Sequence, residues 1–192
     1  MTDATPGAID KVRILLISGS LRAGSTNGAL LQTAAAVAPD GIAATVYDGM
    51  ARLPHFNPDD DHDPVDPAVA DLRTRIAASD ALLLSTPEYI GALPGSFKNL
   101  LDWTVGSGAT YEMPVAWVNV AASPTGASDA HDSLRIVMSR SGSDVVEDAC
   151  VHIPVPRAIV GADGLIADEG IRAEIAGALV ALAERVRDKR PS

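Results

Sequence analysis

The segment at residues 19–27, GSLRAGSTN, has the residue types of a loop that binds phosphate. The hydroxyl groups of Ser25 and Thr26 can donate hydrogen bonds, and Arg22 can donate a charge-assisted one. If a helix starts at Asn27, its free backbone N–H groups and its dipole also attract an anion. We interpret the segment as a site for one phosphate without a metal. A second interpretation, in which Ser25 and Thr26 only cap the helix, explains the same residues and stays open.

The segment differs from the known loops for larger nucleotides. Its glycines have the spacing of a triphosphate-binding P-loop, but Ser25 stands where that loop has its lysine. The missing lysine, together with the lack of a metal-binding aspartate at a strand end, argues against an ATPase. The dinucleotide pattern G-x-G-x-x-G is also absent, although Asp48 ends a predicted strand as a ribose-binding acid would.

Apolar runs and helical patterns alternate along the chain and would position this loop. The apolar runs predict five strands, at residues 12–18, 43–47, 81–85, 114–120 and 145–153. The helical patterns predict five helices, at residues 27–38, 68–78, 94–103, 127–140 and 171–187. This alternation predicts an α/β fold with a doubly wound parallel sheet. We assign residues 1–192 to one domain and expect residues 1–10 to be a disordered tail.

Three loops leave the carboxyl ends of the predicted strands, at residues 19–27, 86–93 and 121–126. Ligands of doubly wound sheets bind in the crevice beyond those ends, near the point where the strand order reverses. The three loops are therefore expected to converge on one binding site.

The second loop opens the segment PEYIGALPGSFKNLLDW at residues 87–103. Together with GSLRAGSTN, this segment resembles the NADPH-dependent FMN reductase family of flavodoxin-like quinone and azo reductases. The matching patterns are GSLRxGSxN and PEYxxxxPGxxKNxLDW, and the order of elements extends the resemblance over most of the chain. The resemblance implies a flavodoxin-like five-stranded parallel sheet in the order 2-1-3-4-5, with helices on both faces.

The resemblance also implies noncovalently bound FMN. By match, its phosphate would be surrounded by Ser20, Arg22, Ser25, Thr26 and Asn27. The edge of its isoalloxazine ring would lie along Pro87, Glu88, Tyr89 and Ile90, mainly against backbone groups. The third loop, AASPTGAS, would add Ser123, Thr125 and Gly126 near the ribityl chain or the ring. These last three residues fit an ordinary turn between a strand and a helix nearly as well.

The activity that the resemblance implies is a ping-pong flavin reductase. NADPH or NADH would give a hydride to the flavin and leave, and a small oxidised acceptor would then take the electrons. We name no catalytic side chain, because backbone N–H groups suffice to stabilise the reduced, anionic flavin. Family members form dimers or tetramers, so a homodimer or homotetramer is expected, with the helix at residues 98–103 near the boundary. Trp103 on this helix fits a core position equally well.

Two features of this chain depart from the family pattern. Ile90 and Ala92 stand where family members commonly have asparagine and serine, and a β-branched residue tolerates positive φ badly. We expect a changed loop conformation or a changed contact with the second substrate. The third loop also has Ser128 and Asp129 where a pair of glycines is often present.

The composition restricts the partners of the protein. A net charge of −10 argues against binding to nucleic acid or to an anionic membrane. A single cysteine, Cys150, permits no intramolecular disulfide and is expected to be a small buried hydrophobe. Residues 175–183 form the longest uncharged apolar run near the carboxyl terminus, which is too short to span a bilayer, and MTDATPGAIDK lacks the apolar core of a secretory signal. We therefore expect a cytoplasmic protein.

Other interpretations of the chain remain. The acidic run DDDHD at residues 59–63 is interpreted as a solvated loop tip, because it lacks the spacing of metal ligands. A flavodoxin-type electron carrier would also be acidic and bind FMN, but it lacks the segment at residues 87–103. A flavin-free binding or regulatory protein on the same fold is the other alternative, which the change at Ile90 makes conceivable.

Overall fold

The computed structural model describes residues 11–190, which form a parallel β-sheet with helices on both faces. Four strands have their full length: β1 (Val12–Ser18), β2 (Ile42–Tyr47), β3 (Ala81–Ser85) and β4 (Pro114–Asn119). Two strands of two residues follow, β5 (Asp144–Val145) and β6 (Val151–His152). The strand order is β2-β1-β3-β4-β5, and β6 also pairs with β4. This confirms the predicted fold and the order 2-1-3-4-5. The tail expected at residues 1–10 lies outside the described residues.

Five helices cover the sheet: α1 (Thr26–Ala36), α2 (Pro67–Ala77), α3 (Gly95–Asp102), α4 (Ser128–Arg140) and α5 (Glu169–Lys189). Alternate residues of β1 point to opposite faces, so Ile14 and Leu16 belong to the core beneath α1 and α5. Leu15 and Ile17 belong to the second core, beneath α2, α3 and α4. Because both faces are covered, β1 is apolar throughout its middle. No helix within residues 11–190 has the length and apolarity needed to cross a bilayer.

The prediction of one continuous fifth strand at residues 145–153 is wrong, because this segment forms two short strands, β5 and β6. Both pair with β4, with Val145 opposite Val115 and Val151 opposite Val118. The segment from β5 to β6 therefore contains three more residues than the stretch of β4 that it faces. These residues form a 3₁₀ turn, Glu147–Ala149, that leaves the sheet and returns. Its two acidic residues account for the break, since carboxylates inside a covered parallel strand would lose their water.

The long loop between β2 and α2 is held against α3 by polar contacts. Asn99 binds it twice, because its Oδ1 accepts from the N–H of Phe56 at 2.7 Å and its Nδ2 donates to Pro54 O at 2.8 Å. Trp103 is buried in the core, donates from Nε1 to the same carbonyl at 2.9 Å and meets the Phe56 ring edge-on at 5.0 Å. Trp103 therefore anchors the loop from a core position.

The acidic run in this loop is partly tied to the protein. Asp61 forms a half-buried ion pair with Arg73 at 2.6 Å, and Arg73 also donates to the carbonyl oxygen of Trp103. Within residues 11–190, no three His, Cys, Asp or Glu side chains are grouped so that they could hold a metal ion. Asp61 thus fastens the loop to α2.

Candidate functional site

A cavity of about 430 Å³ opens at the carboxyl edge of the sheet, where the loops after β1, β3 and β4 meet. We call this cavity the cleft. The first loop contributes Arg22, Thr26 and Asn27, and the second contributes Thr86, Pro87 and Glu88. The third loop contributes residues 119–122 and Ala127, and the segment at residues 155–157 closes the opposite side. The predicted convergence of the three loops is therefore present in the structure.

The first turn of α1 presents donors at one end of the cleft. Ser25 is the N-cap of the helix, and its Oγ accepts from the N–H of Gly28 at 3.0 Å. The N–H groups of Thr26 and Asn27 donate no hydrogen bond to any part of residues 11–190. These two N–H groups and the helix dipole form a site for an anion. The capping interpretation of Ser25 holds, and the phosphate interpretation is compatible with it.

Asn27 connects this helix end to the centre of the sheet. Its side chain is buried, and its Oδ1 accepts a hydrogen bond from the hydroxyl of Ser85 at 2.8 Å. The same hydroxyl lies 2.9 Å from Val118 O, so its one proton serves one acceptor at a time. Asn27 also lines the cleft, to which its Nδ2 group remains available as a donor.

The first and second loops pack directly on each other. A Cβ atom added to Gly19 would lie 2.2 Å from the Oγ1 of Thr86, which is far inside van der Waals contact. Any side chain at Gly19 would therefore separate the two loops. This close approach gives the first glycine of the motif a steric role.

Arg157 also lines the cleft, although no sequence motif predicted it there. It lies in a short 3₁₀ turn, Arg157–Ile159, beyond the broken fifth strand. Its Nη1 donates to the carbonyl oxygen of Gly24 at 3.1 Å, which brings a second guanidinium beside the loop that carries Arg22. The signal was its position after a strand that ends at the same edge of the sheet. Because residues 145–153 were predicted as one strand, the sequence did not show that Arg157 follows a short second strand, β6.

The second loop ends in a tight turn. Tyr89 and Ala92 exchange two backbone hydrogen bonds, of 3.0 and 3.2 Å. The two central residues, Ile90 and Gly91, both have positive φ, at 53° and 68°, which is the pattern of a type I′ turn. The positive φ costs a residue with a Cβ about 1–2 kcal/mol. The expected conflict at Ile90 is therefore present, and the turn keeps its conformation despite it.

Glu88 does not stand free at the cleft, because its carboxylate is fastened to α4. Its Oε2 accepts from the backbone N–H of Ala130 at 3.1 Å. The N-cap of α4 is Ala127, which has a φ of 60° and no side-chain oxygen to offer. Glu88 therefore supplies the capping oxygen from a different loop, at the end of the helix where the dipole favours negative charge.

The third loop is ordered by Asn119. Its Nδ2 donates to Gly126 O at 2.8 Å, and its Oδ1 accepts from the N–H of Ala121 at 2.9 Å. Ser123 and Thr125 are exposed and lie outside the residues that line the cleft. The wall on this side is formed by backbone and small side chains rather than by hydroxyl groups.

The remaining predicted residues surround the cleft without lining it. Ser20 and Ser25 line a neighbouring cavity of about 350 Å³ on the other side of the first loop, and Arg22 borders both cavities. Tyr89 and Ile90 are exposed on the turn beyond Glu88. The Oγ of Ser20 accepts from the N–H of Arg22 at 3.3 Å, so this serine shapes the loop.

Burial shifts the pKa of two titratable groups toward the uncharged form. Burial lowers the pKa of His131, whose Nδ1 lies 2.6 Å from Ala127 O and whose Nε2 has no partner within the described residues. Burial also raises the pKa of Cys150 to about 11, which keeps the thiol protonated at neutral pH. Cys150 is partly rather than fully buried and packs against both cores, and a protonated thiol is a poor nucleophile, which together indicate a structural role.

The donors of the cleft fit the phosphate end of FMN, the cofactor that the sequence resemblance implies. Two guanidinium groups, a buried amide and two free helical N–H groups match the charge and the acceptor oxygens of a phosphate. The backbone N–H groups of Glu88, Ile90 and Gly91 also donate no hydrogen bond within residues 11–190. They are therefore available to the carbonyl oxygens and ring nitrogens along one edge of a flavin.

Comparison with known proteins supports the same cofactor. Residues 12–155 match the family model described as NADPH-dependent FMN reductase. The 2-hydroxy-1,4-benzoquinone reductase of a Burkholderia species is 30% identical over 182 residues, which cover 93% of this chain and 98% of that protein. The NAD(P)H-dependent FMN reductase PA1204 of Pseudomonas aeruginosa is 43% identical over 94 residues, or 49% of this chain, and the match spans only 50% of that relative.

A solved structure shows the same likeness at the level of the fold. The flavoenzyme NAD(P)H:(acceptor) oxidoreductase FerB of Paracoccus denitrificans superposes with a TM-score of 0.80 at 27% identity. The superposition covers 92% of this chain and 98% of that protein. The likeness therefore extends over most of both chains.

Proposed function

Because the chain belongs to the NADPH-dependent FMN reductase family, we propose that it is an FMN-dependent NAD(P)H oxidoreductase that reduces a small acceptor such as a quinone. The observation that carries the proposal is the cleft, in which Arg22 and Arg157 stand beside the free N–H groups of α1. A relative named as a benzoquinone reductase that aligns over almost the whole chain supports a quinone as the acceptor.

The cofactor of the proposed reaction is noncovalently bound FMN, with NADPH or NADH as co-substrate. When bound, FMN supplies the chemistry of accepting a hydride from the nicotinamide and giving its electrons to the acceptor. The phosphate end would be held by Arg22, Arg157, Thr26 and Asn27, with the N–H groups of α1 behind them. Ser20 and Ser25 contribute by fixing the shape of the loop, and their hydroxyl protons remain available to the phosphate.

The ring end would be bound by the second loop. The N–H groups of Glu88, Ile90 and Gly91 are the donors that can stabilise negative charge on the pyrimidine side of a reduced flavin. Pro87 and Thr86 give this end a wall without charge. No side chain has to transfer a proton or form a covalent bond, so the role of the chain is to bind, to orient and to balance charge.

The residues of the third loop have a more limited part. Ala121 and Ala127 line the cleft, so they can contact the ribityl chain or the ring. Ser123, Thr125 and Gly126 would act through the shape of the loop, because Gly126 O is held by Asn119 and a Cβ at Gly126 would lie 2.7 Å from that of Ala121.

We also propose that the active form is a homodimer or a pair of such dimers. A cavity of about 340 Å³ between α3 and α4 is mostly apolar, and Val105 and Ile136 at its border are each 63% exposed. An ion pair between Lys98 and Asp102 flanks it. Exposed apolar side chains with a charged border are typical of an interface between subunits. The proposed location is the cytoplasm, where NAD(P)H and FMN are available.

Spectroscopy of the purified protein tests the function. We expect flavin absorption bands that shift when FMN binds and that bleach on anaerobic addition of NADPH or NADH, followed by recovery when a quinone is added. A protein that binds FMN but is not reduced by either nucleotide would be an electron carrier. A protein that leaves the spectrum of added FMN unchanged would contradict the proposal and favour a flavin-free binding protein.

A further inference from the structure

The turn after Glu88 carries an apolar residue in a position that suits a polar one. Both central residues of a type I′ turn have positive φ, and asparagine followed by glycine is the favoured pair. This chain has Ile90 followed by Gly91, with φ of 53° and 68°. Because isoleucine is branched at Cβ, it tolerates the left-handed conformation worse than most residues do. Asparagine at this position would remove the strain.

Ile90 is also fully exposed, and its neighbour Tyr89 is more than half exposed. An exposed isoleucine side chain lacks the favourable free energy that burial of its apolar surface would provide. Ile90 is therefore unfavourable for a second reason, besides its backbone strain. A strained backbone and an exposed apolar side chain on a loop at a ligand cleft are features of functional sites. Packing within residues 11–190 explains neither of them.

The turn is held beside the cleft. Glu88 lines the cleft and is tied to α4 through Ala130 N, so the chain leaves this point in a fixed direction. Gly91 faces the first turn of α4, where a Cβ at Gly91 would lie 3.6 Å from Asp129 Oδ2. The turn therefore stands on the border of the cleft, between the second loop and α4.

The charges around the turn indicate which ligand would cover it. Glu88 and Asp129 both carry carboxylates at this border, and the protein as a whole is acidic. Carboxylates repel the phosphates of a dinucleotide and the charge of an anionic acceptor. The arginines of the cleft lie at its opposite, phosphate end. An uncharged ring that covers Ile90 is not repelled in this way. Its contact with Ile90 removes apolar surface from water, which favours binding.

We propose that Ile90 is a specificity-determining residue that covers the apolar face of the electron acceptor. It favours uncharged ring compounds, such as alkyl-substituted quinones, over anionic acceptors. This inference rests on the proposed function, because it concerns the second substrate of that reaction. The strain at Ile90 is retained because the same side chain improves binding of the acceptor.

The test compares Ile90→Asn with a control that relieves the same kind of strain elsewhere. Glu112 is exposed and has a φ of 56°, so Glu112→Asn is the matched control. Both substitutions are expected to raise Tm by roughly 2–6 °C, since asparagine tolerates the positive φ at each position with less strain than isoleucine or glutamate does. Ile90→Asn places the preferred residue in its turn, so it should fold, and Ile90→Gly is a second variant with the same expected effect.

The kinetic measurement is the ratio of kcat/KM for 2-methyl-1,4-naphthoquinone to kcat/KM for ferricyanide, with NADPH as donor. We expect this ratio to fall about 5- to 10-fold in both Ile90 variants and to stay unchanged in Glu112→Asn, in line with the loss of one apolar contact. Calorimetric titration of the oxidised holoprotein with the naphthoquinone should show weaker binding in the Ile90 variants. An unchanged ratio together with unchanged quinone binding would overturn the proposal.

Two further outcomes are distinguished by the same proteins. If Ile90→Asn changes the oligomeric state in light scattering, Ile90 contacts a second copy of the chain, and the assignment to the acceptor is wrong. If the unsubstituted protein binds FMN but is not reduced by NADPH, the proposed function fails. The two failures can be told apart. The Ile90 proposal fails only if the protein is an active reductase and the Ile90 variants show the same acceptor preference as the unsubstituted protein.

Discussion

The carboxylate of Glu88 accepts a hydrogen bond from the backbone N–H of Ala130 at 3.1 Å, and this contact joins two loops of the cleft. Glu88 belongs to the loop after β3, whereas Ala130 lies in the first turn of α4, which follows the loop after β4. The contact therefore fixes the direction in which the backbone of the second loop passes the cleft. It also caps a helix whose own N-cap residue, Ala127, has no polar side chain.

Glu88→Ala should destabilise the protein and weaken FMN binding together. Removal of an N-cap acceptor costs about 1 kcal/mol of unfolding free energy, and the second loop loses its attachment to α4. Glu88→Gln keeps an acceptor oxygen at the same distance, so it should recover most of the stability and most of the FMN affinity. Urea unfolding and fluorescence titration with FMN measure the two effects. Equal stability of Glu88→Ala and the unsubstituted protein would show that the cap is not needed.

The two arginines of the cleft should act on the phosphate alone. We expect Arg22→Ala and Arg157→Ala each to weaken FMN binding roughly 10- to 100-fold, because hydrogen bonds to charged groups contribute about 1.5–3 kcal/mol. Riboflavin lacks the phosphate, so its affinity should change little in either variant. Arg187→Ala, an exposed arginine on α5, is the control.

The measurement is the ratio of the dissociation constants of riboflavin and FMN for each variant. A ratio that falls in Arg22→Ala and Arg157→Ala but not in Arg187→Ala would support the phosphate site. If riboflavin and FMN weaken equally, the arginines support the fold of the loops, and the phosphate lies elsewhere.

Asn27→Asp separates the structural role of this residue from its role toward the ligand. The substitution keeps an oxygen that can accept from the hydroxyl of Ser85, so the contact at 2.8 Å can persist. It replaces the Nδ2 donor with a carboxylate oxygen, which repels a phosphate at the helix N-terminus. We expect FMN affinity to fall more than about tenfold while Tm changes by only a few degrees. Asn27→Ala is the comparison, and it should lose more stability because it removes a buried side chain and leaves a cavity beside Ser85.

Sequence patterns predicted the elements whose signal is local. The run 81–85 matches β3 at both ends, and the start of α1 differs by one residue because Ser25 is a clear N-cap. The conflict at Ile90 was also predictable, since a turn with positive φ restricts which side chains fit without strain. These features depend on periodicity, capping and turn chemistry, which are determined by residues close together in the sequence.

The missed features depend on contacts between distant residues. Arg157 reaches Gly24 across the sheet, and Glu88 reaches Ala130, so neither pair has a pattern in the sequence. The division of the fifth strand follows from its register with β4, which places three residues outside the ladder. Pairing of this kind is set by the packing of the whole sheet, which a single apolar run does not reveal.

His131 should make the stability of the protein fall on mild acidification. Burial lowers its pKa in the folded state below the usual value of 6.5, so the folded protein disfavours the charged imidazole. As the pH falls through about 6.5, the unfolded chain takes up a proton that the folded chain does not, and the unfolding free energy decreases. His131→Gln should therefore show a flatter stability profile between pH 7.5 and about pH 5.5. The control is His62→Gln, since His62 is exposed on the long loop. Urea unfolding at several pH values measures this difference, and parallel profiles for His131→Gln and the unsubstituted protein would contradict it.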